Sequence, residues 1–431
     1  MMQSKTSKIV EVEKVDAKTS NDFDQTVKTL ADLGLEKDQI PYIDKENDIM
    51  TTNWHKKVET FEDLGLKKNL LKGIYGNGFE YPSPIQQIAI MPMIQGRDVI
   101  AQAQSGTGKT ATFSISALQL IDTSLIEIQA VVMAPTRELA MQSDKVIRCL
   151  GEDFLQIKTH VFIGGTSLKG DIQAIQDGIH FAVGTPGRVL SMIEKKLLKL
   201  SSLKVLILDE ADEMLSRGFL EDMKKVISYI PVETKIWLVS ATMPREIVTL
   251  TTNFMQDPVK ILVDKAKLPL DGIKQYYVLL KKEWKLETLI DIYKGIDIAQ
   301  AMIFCNSKNS VIYLSEELRK RGHMVSSIYS ELGMQERTKI MNEFISGSTR
   351  VLVTTDLLAK GIDVYQVSLV INYDLPYSKE SYLHRIGRCG RFGRKGSSIS
   401  FVTPDEKEDL ESIQKYFNAT IEKLPTDLSE I

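Results

Sequence analysis

The chain has 431 residues, 43% hydrophobic and 26% charged, a balance that suits two or three soluble domains with ample core. Its formal net charge of −3 and its pI near 6.1 exclude a bulk positive field that would draw it onto nucleic acid. Any such grip must come from a local patch. Three widely spaced cysteines and five scattered histidines offer no zinc spacing and fit a reducing compartment. No apolar run of membrane-spanning length and no signal peptide is present, so the expectation is a soluble intracellular protein.

The first 50 residues hold seven Lys, no Arg and eleven Asp or Glu, net −4 against +1 for the remainder. Apolar residues are sparse before Leu30-Ala-Asp-Leu-Gly-Leu35, and the composition predicts a disordered acidic tail over 1–55. From Phe61 onward short β-rich runs alternate with helical patterns, the rhythm of parallel α/β units. The strands expected in this half are Val99–Gln102, Val131–Ala134, His160–Ile163, Phe181–Val183, Val205–Leu208 and Ile236–Val239. Between them, Ala111, Ile115 and Leu118 mark one face of a helix.

Residues 264–272, charged and punctuated by Pro and Gly, read as a linker between a first domain over 56–263 and a second over 273–431. The rhythm then restarts, with strands expected at Gln275–Leu280, Ala301–Phe304, Val325–Tyr329, Arg350–Thr354, Leu369–Asn372 and Ser398–Val402. Gly322 is a left-handed stop for the helix that carries Val311, Leu314 and Leu318.

Chemistry concentrates in two stretches of the first half. Ala103-Gln-Ser105-Gly106-Thr107-Gly108-Lys109-Thr110 is a glycine-rich phosphate loop, and Val205-Leu-Ile-Leu-Asp209-Glu210-Ala-Asp212 is an apolar strand ending in acids. Either alone is ordinary, since one can merely start a helix and the other can merely end in a solvated loop. Together they form a nucleotide-hydrolysing site, in which backbone N–H groups cradle phosphates and Lys109 meets the β/γ-phosphates. Thr110 and Asp209 are the candidate Mg²⁺ ligands, and Glu210 is the group that orients the attacking water. In the second half, arginines recur in His384-Arg385-Ile-Gly-Arg388-Cys-Gly-Arg391. Guanidinium forks suit a developing γ-phosphate charge, and here Arg388 and Arg391 could supply one only by reaching across a cleft.

Residues from about 58 to 431 carry motifs whose order resembles that of the DEAD-box RNA helicases. The resemblance implies an α/β fold of two RecA-like parallel-sheet domains, ATP and Mg²⁺ as cofactors, and a strand of RNA bound without regard to sequence. Gly78-Phe79-Glu-Tyr-Pro-Ser-Pro-Ile-Gln86 is similar to the family's adenine-reading motif, which implies adenine contacts for Phe79 and Gln86. Ser240-Ala-Thr242 resembles the segment that couples ATP state to RNA binding. RNA contacts are implied for Pro135, Thr136, Arg137, Gly164, Gly165, Thr185 and Arg188, and in the second half for Thr355 and Gly361, while Asp363 would meet the ribose of ATP.

Within the family, Ser216-Arg-Gly-Phe219 and Ser240-Ala-Thr-Met-Pro244 look like the translation-initiation helicases, whereas Ile303-Phe-Cys-Asn306 looks like the exon-junction branch. The balance favours initiation and a cytoplasmic location, with the nuclear branch as the alternative. Either implies a scaffold protein as partner and a chain that is monomeric on its own. Two departures bear on RNA coupling. Lys360 stands where the family has Arg, and Tyr329-Ser330-Glu331 stands where it usually has His-Gly-Asp. A long-lived RNA clamp and a DNA translocase are the rival activities; turnover rate discriminates the first, since a clamp stalls once closed, and the adenine motif with Asp-Glu-Ala-Asp disfavours the second.

Overall fold

The computed structural model describes residues 50–103, 106–243, 247, 253–263, 273–296, 299–356, 367–389 and 396–428. The expected tail up to residue 49, the linker 264–272, and Ser105, Lys360, Gly361, Asp363 and Arg391 lie outside them.

The first sheet begins with β1 (Met50–Thr52), followed by α1 (Lys68–Gly76) and α2 (Pro84–Ile94). Next come β2 (Val99–Gln102), α3 (Lys109–Leu120), β3 (Ala130–Met133) and α4 (Arg137–Leu155). Then β4 (Thr159–Phe162), α5 (Leu168–Gln176), β5 (Phe181–Gly184) and α6 (Pro186–Glu194) continue the alternation. The lobe ends with β6 (Val205–Asp209), α7 (Ala211–Ser216), α8 (Leu220–Tyr229), β7 (Lys235–Ser240) and β8 (Val259–Val263). The strands lie in the order β1-β8-β2-β7-β6-β3-β5-β4. All neighbours are parallel except β1, which runs antiparallel to β8 with Met50 opposite Val263.

The second sheet starts at β9 (Ile273–Leu279), α9 (Lys285–Gly295), β10 (Ala301–Phe304) and α10 (Lys308–Lys320). It goes on through β11 (Val325–Ile328), α11 (Met334–Ile345), β12 (Val351–Thr354) and β13 (Leu369–Asn372). It closes with α12 (Lys379–Ile386), β14 (Gly396–Val402), α13 (Lys407–Phe417) and β15 (Glu422–Lys423). Its order, β11-β12-β10-β13-β14-β9-β15, is parallel throughout. Counted along the chain from β2 and from β9, both sheets have one connectivity, 7-1-6-5-2-4-3. This is the doubled α/β architecture that the sequence leads one to expect.

Central strands bury every residue, as at β2, β3, β5 and β6, because helices cover both faces of the sheet. On one face of the first sheet Leu70, Ile90, Phe113 and Trp237 share a core; on the other Phe162, Met192, Leu206 and Leu238 share a second. Helix α3 is buried all round from Ala111 to Leu118, so the three-residue face read from sequence is only part of its packed surface. Gly322 sits at φ +84°, donates to the Arg319 carbonyl, and stops α10 as expected.

The tail boundary at residue 55 needs correction. β1 lies inside the expected tail, Asn53 exchanges bonds with the Pro258 carbonyl and the Lys260 amide, and Trp54 packs on the core. Three residues of Met-Thr-Thr on a sheet edge carry too little apolar alternation to be read as a strand.

Gly184, at the end of β5, has no room for a side chain: a Cβ there would lie 2.3 Å from the Phe162 carbonyl oxygen and 2.8 Å from Val189 Cγ2. Gly184→Ala is expected to lower stability by roughly 1–3 kcal/mol, the usual cost of overpacking. Denaturant titration checks this, and an unchanged midpoint would contradict the close approach.

Candidate nucleotide and RNA site

The phosphate loop joins β2 to α3, so its N–H groups stand at the start of a helix beyond the carboxyl edge of the sheet. Gly106 and Gly108 take φ +84° and +95°, left-handed values open to glycine, and a Cβ on Gly108 would come within 2.8 Å of Gln86 Nε2. Gln86 itself is buried. Its Oε1 accepts from the Ser83 amide at 2.8 Å in a capping box, and its Nε2 donates to the Gly108 carbonyl at 3.4 Å. The adenine-motif glutamine is thereby hydrogen-bonded to the phosphate loop. Phe79 is half-buried against the same core. Thr107 and Thr110 are partly accessible beside Gly106.

Lys109, the first residue of α3, is buried and bonds Glu210 Oε1 at 2.9 Å. Asp209 ends β6, and Glu210 follows at φ +49°, a left-handed value that is unusual for glutamate. Two carboxylates and one ammonium are therefore shut away together. Burial, then the neighbouring Glu210, push the Asp209 carboxyl up to about 7. Glu210 Oε2 is buried without a hydrogen-bond partner among the described residues. This surplus of buried oxygen charge fits a hard divalent cation. Among the described residues no cluster of three His, Cys, Asp or Glu could hold a metal by itself. Asp209 and Thr110 would thus supply two oxygens, with phosphate and water supplying the rest, as magnesium commonly has it.

Asp212, two residues on, joins three segments. Its Oδ2 accepts from the Thr242 hydroxyl at 2.7 Å and from the Thr242 amide at 3.2 Å, while its own amide donates to Ser240 Oγ at 3.2 Å. The same Oδ2 lies 3.4 Å from His384 Nε2 of the second lobe. Ser240 and Thr242 are thus brought onto the start of α7, just past the acidic strand, and the arginine segment reaches it through its histidine. Arg388 is buried and its Nε donates to the His384 carbonyl at 3.1 Å. Arg385 is fully buried among Asp356, the Asp374 carbonyl and Asn306, an internal brace.

A second group lies along the starts of α4, α5 and α6. Thr136, next to buried Pro135, accepts from the Leu139 amide at 3.2 Å as it starts α4. The Arg137 guanidinium lies over Gly164 and Gly165: Cβ atoms there would meet it at 3.5 and 3.4 Å. Thr185 is the residue before α6, with no side-chain cap bond. Arg188 is held by Asp171. Arg337 of α11 crosses from the second lobe to Glu138, 3.3 Å away, and also donates to the Ser330 carbonyl. The Tyr329-Ser330-Glu331 segment therefore supports this bridge through backbone, which its unusual side chains leave intact. Thr355 follows β12, half-buried.

A DEAD/DEAH box helicase model matches residues 83–250, and a helicase conserved C-terminal domain model matches residues 284–393. The chain is 54% identical to the ATP-dependent RNA helicase eIF4A of Coccidioides immitis over 363 residues, 84% of this chain and 91% of that protein. It is 52% identical to the Schizosaccharomyces pombe eIF4A over 387 residues, 90% of this chain and 98% of the relative. The chain belongs to the DEAD-box family of ATP-dependent RNA helicases. Among solved structures, S. cerevisiae Dbp5 bound to RNA and ADP BeF3 aligns with this helicase at TM-score 0.80 and 36% identity, covering 86% of this chain and 96% of Dbp5. A DEAD box protein from Methanococcus jannaschii, also 36% identical and covering 86% and 100%, aligns at only 0.53. At equal identity and equal coverage of this chain, the helicase shares more of its overall geometry with the RNA-bound Dbp5 structure.

Glu138, Asp212, His384 and Arg337, which make the bridges between the lobes, escaped the sequence reading. Asp212 and His384 lie inside the acidic and arginine stretches and Glu138 directly follows Arg137, so position beside candidate site residues was the available signal. Arg337 has none.

The helicase free of nucleotide should lose stability as pH rises. The raised carboxyl of Asp209 contributes fully below 3.8, its ordinary value, and that contribution disappears as pH climbs through about 7. Asp209→Asn removes this titration, so its thermal midpoint should gain on the native chain more at pH 8 than at pH 5. Parallel curves across that range would contradict the buried charge surplus.

Proposed function

We propose that this helicase works in translation initiation, closing its two lobes on ATP and one RNA strand and thereby melting local duplex. Its eIF4A relatives support the initiation role over the exon-junction alternative, and with it a cytoplasmic location and a scaffold partner. The observation that carries the mechanism is the chain from Thr242 through Asp212 to His384, which joins the coupling segment, the acidic strand and the arginine segment across the lobes.

Without nucleotide, Lys109 is taken by one oxygen of Glu210. An arriving triphosphate offers its oxygens to Lys109 and to the loop amides, which frees Glu210 to orient a water on the γ-phosphorus. Mg²⁺ held by Thr110 and Asp209 would supply positive charge against the phosphate oxygens. Gln86 and Phe79 read the adenine, and Ser105 to Gly108 wrap the phosphates. Asp363 takes the ribose, while Arg388 and Arg391 meet the charge that develops as the bond to the β-phosphate breaks. Pro135, Thr136, Arg137, Gly164, Gly165, Thr185, Arg188, Thr355 and Gly361 line the strand's sugar–phosphate track, where contacts position without specifying sequence.

Lys109→Ala is expected to abolish ATP binding, whereas Glu210→Gln should bind ATP and stay locked on RNA, since only water activation is removed. Fluorescent-nucleotide titration and RNA retention measure the two. Native ATP affinity in Lys109→Ala would sink the assignment of the phosphate loop.

Binding to several unrelated single strands should need a nucleotide and vary less than roughly tenfold among them, because the contacts fall on backbone. Tight binding without nucleotide would contradict a grip assembled by closure.

A further inference from the structure

Asp171 opens the first turn of α5 and is almost wholly buried, with its side chain 2% exposed. Both of its oxygens are engaged. Oδ2 accepts from Arg188 Nε at 2.9 Å and lies 2.7 Å from Arg188 Nη2, while Oδ1 meets His160 Nε2 at 2.9 Å. Arg188 Nη2 also reaches the Thr166 carbonyl at 3.4 Å, just after Gly164 and Gly165. The His160 ring is itself held edge-on by Phe162, with centroids 4.8 Å apart.

We propose that Asp171 is a positioning residue for the RNA grip of the first lobe. A guanidinium is planar, and a carboxylate that takes its Nε and Nη2 edge fixes the whole plane. Nη1, on the opposite edge, makes no hydrogen bond among the described residues, and the side chain remains 16% exposed. Asp171 therefore holds Arg188 with one donor edge left for a phosphate oxygen. A freely rotating arginine would give up about 2 kcal/mol of rotamer entropy on binding, and this one has already lost most of that freedom. His160 performs the same service for Asp171 by fixing its second oxygen. The bond to Thr166 ties this unit to the glycine loop beneath Arg137, so two arginines far apart in sequence are set against one loop.

This inference rests on the reading of Arg188 as an RNA contact, and a double-mutant cycle separates the two. In the full chain, ATP turnover is measured against a single-stranded RNA of mixed sequence for Arg188→Ala, Asp171→Ala and the double variant. Asp171→Ala should raise the half-saturating RNA concentration by roughly tenfold, about the worth of one charge-assisted hydrogen bond. Its kcat at saturating RNA and its half-saturating ATP should stay within about twofold, because the ATP site is untouched. The double variant should need no more RNA than Arg188→Ala alone, since the carboxylate acts only through that arginine. An unchanged RNA requirement in Asp171→Ala, or effects of the two substitutions that multiply in full, would overturn the positioning role and leave Asp171 as a staple between α5 and α6. If Arg188→Ala itself leaves the RNA requirement unchanged, the RNA reading of Arg188 fails first. Should Asp171→Ala melt below assay temperature, Asp171→Asn keeps an acceptor oxygen and loses only the charge. An intermediate rise in RNA requirement is then expected, and none would overturn the proposal.

Discussion

The geometry of this protein turns on a charge imbalance sealed at the carboxyl edge of the first sheet. Lys109, Asp209 and Glu210 are all buried within the reach of one another, and a single ammonium cannot neutralise two carboxylates. Burial makes that shortfall costly, because an uncompensated charge in low dielectric has no water to stabilise it. The helicase free of nucleotide meets it partly through Asp209, whose affinity for a proton is raised. The strand β6 delivers Asp209, with Glu210 directly after it, and the start of α3 delivers the lysine, so the parallel order of the sheet is what brings residues 100 positions apart into one buried set.

The connection between lobes uses the same economy of elements. Asp212 lies one turn beyond the buried acids and faces both Thr242 and His384, so any shift of α7 is felt at once in the coupling segment and in the second lobe. On the other side, Glu138 follows directly after Arg137 and is held by Arg337. The two bridges thus start from Glu138, directly after Arg137, and from Asp212, two residues after Glu210.

Much of this was legible in the residues. The central strands declare themselves because they are buried on both faces and so are apolar without interruption, as in Val205-Leu-Ile-Leu. The edge strands β1 and β15 do not, since two or three residues with one neighbour carry no pattern. β8, although apolar, follows Pro258 in a stretch whose rhythm had already been broken. Lys109, Asp209 and Glu210 were readable because phosphate chemistry fixes both residue type and spacing. Asp171 and Arg337 were not, because an ion pair between distant segments leaves no spacing in sequence. The single arginine of a motif is visible in the chain; the carboxylate that aims it is visible only in space.

The repeated connectivity of the two sheets has a quantitative outcome. β9 occupies in the second sheet the place of β2 in the first, and Lys285 begins the helix after it as Lys109 begins α3. Asp374, just past β13, stands where the acidic pair stands after β6, and it bonds Lys285 at 3.1 Å. Asp374 Oδ2 is also taken by the Asn306 amide, and the Lys285 ammonium sits over the Tyr373 ring. Lys285 and Asp374 thus pair with one another here, and each is further satisfied by its neighbours. The duplicated fold therefore leaves a buried carboxylate oxygen in excess in the first lobe, whereas Lys285 and Asp374 answer one another at the matching place in the second.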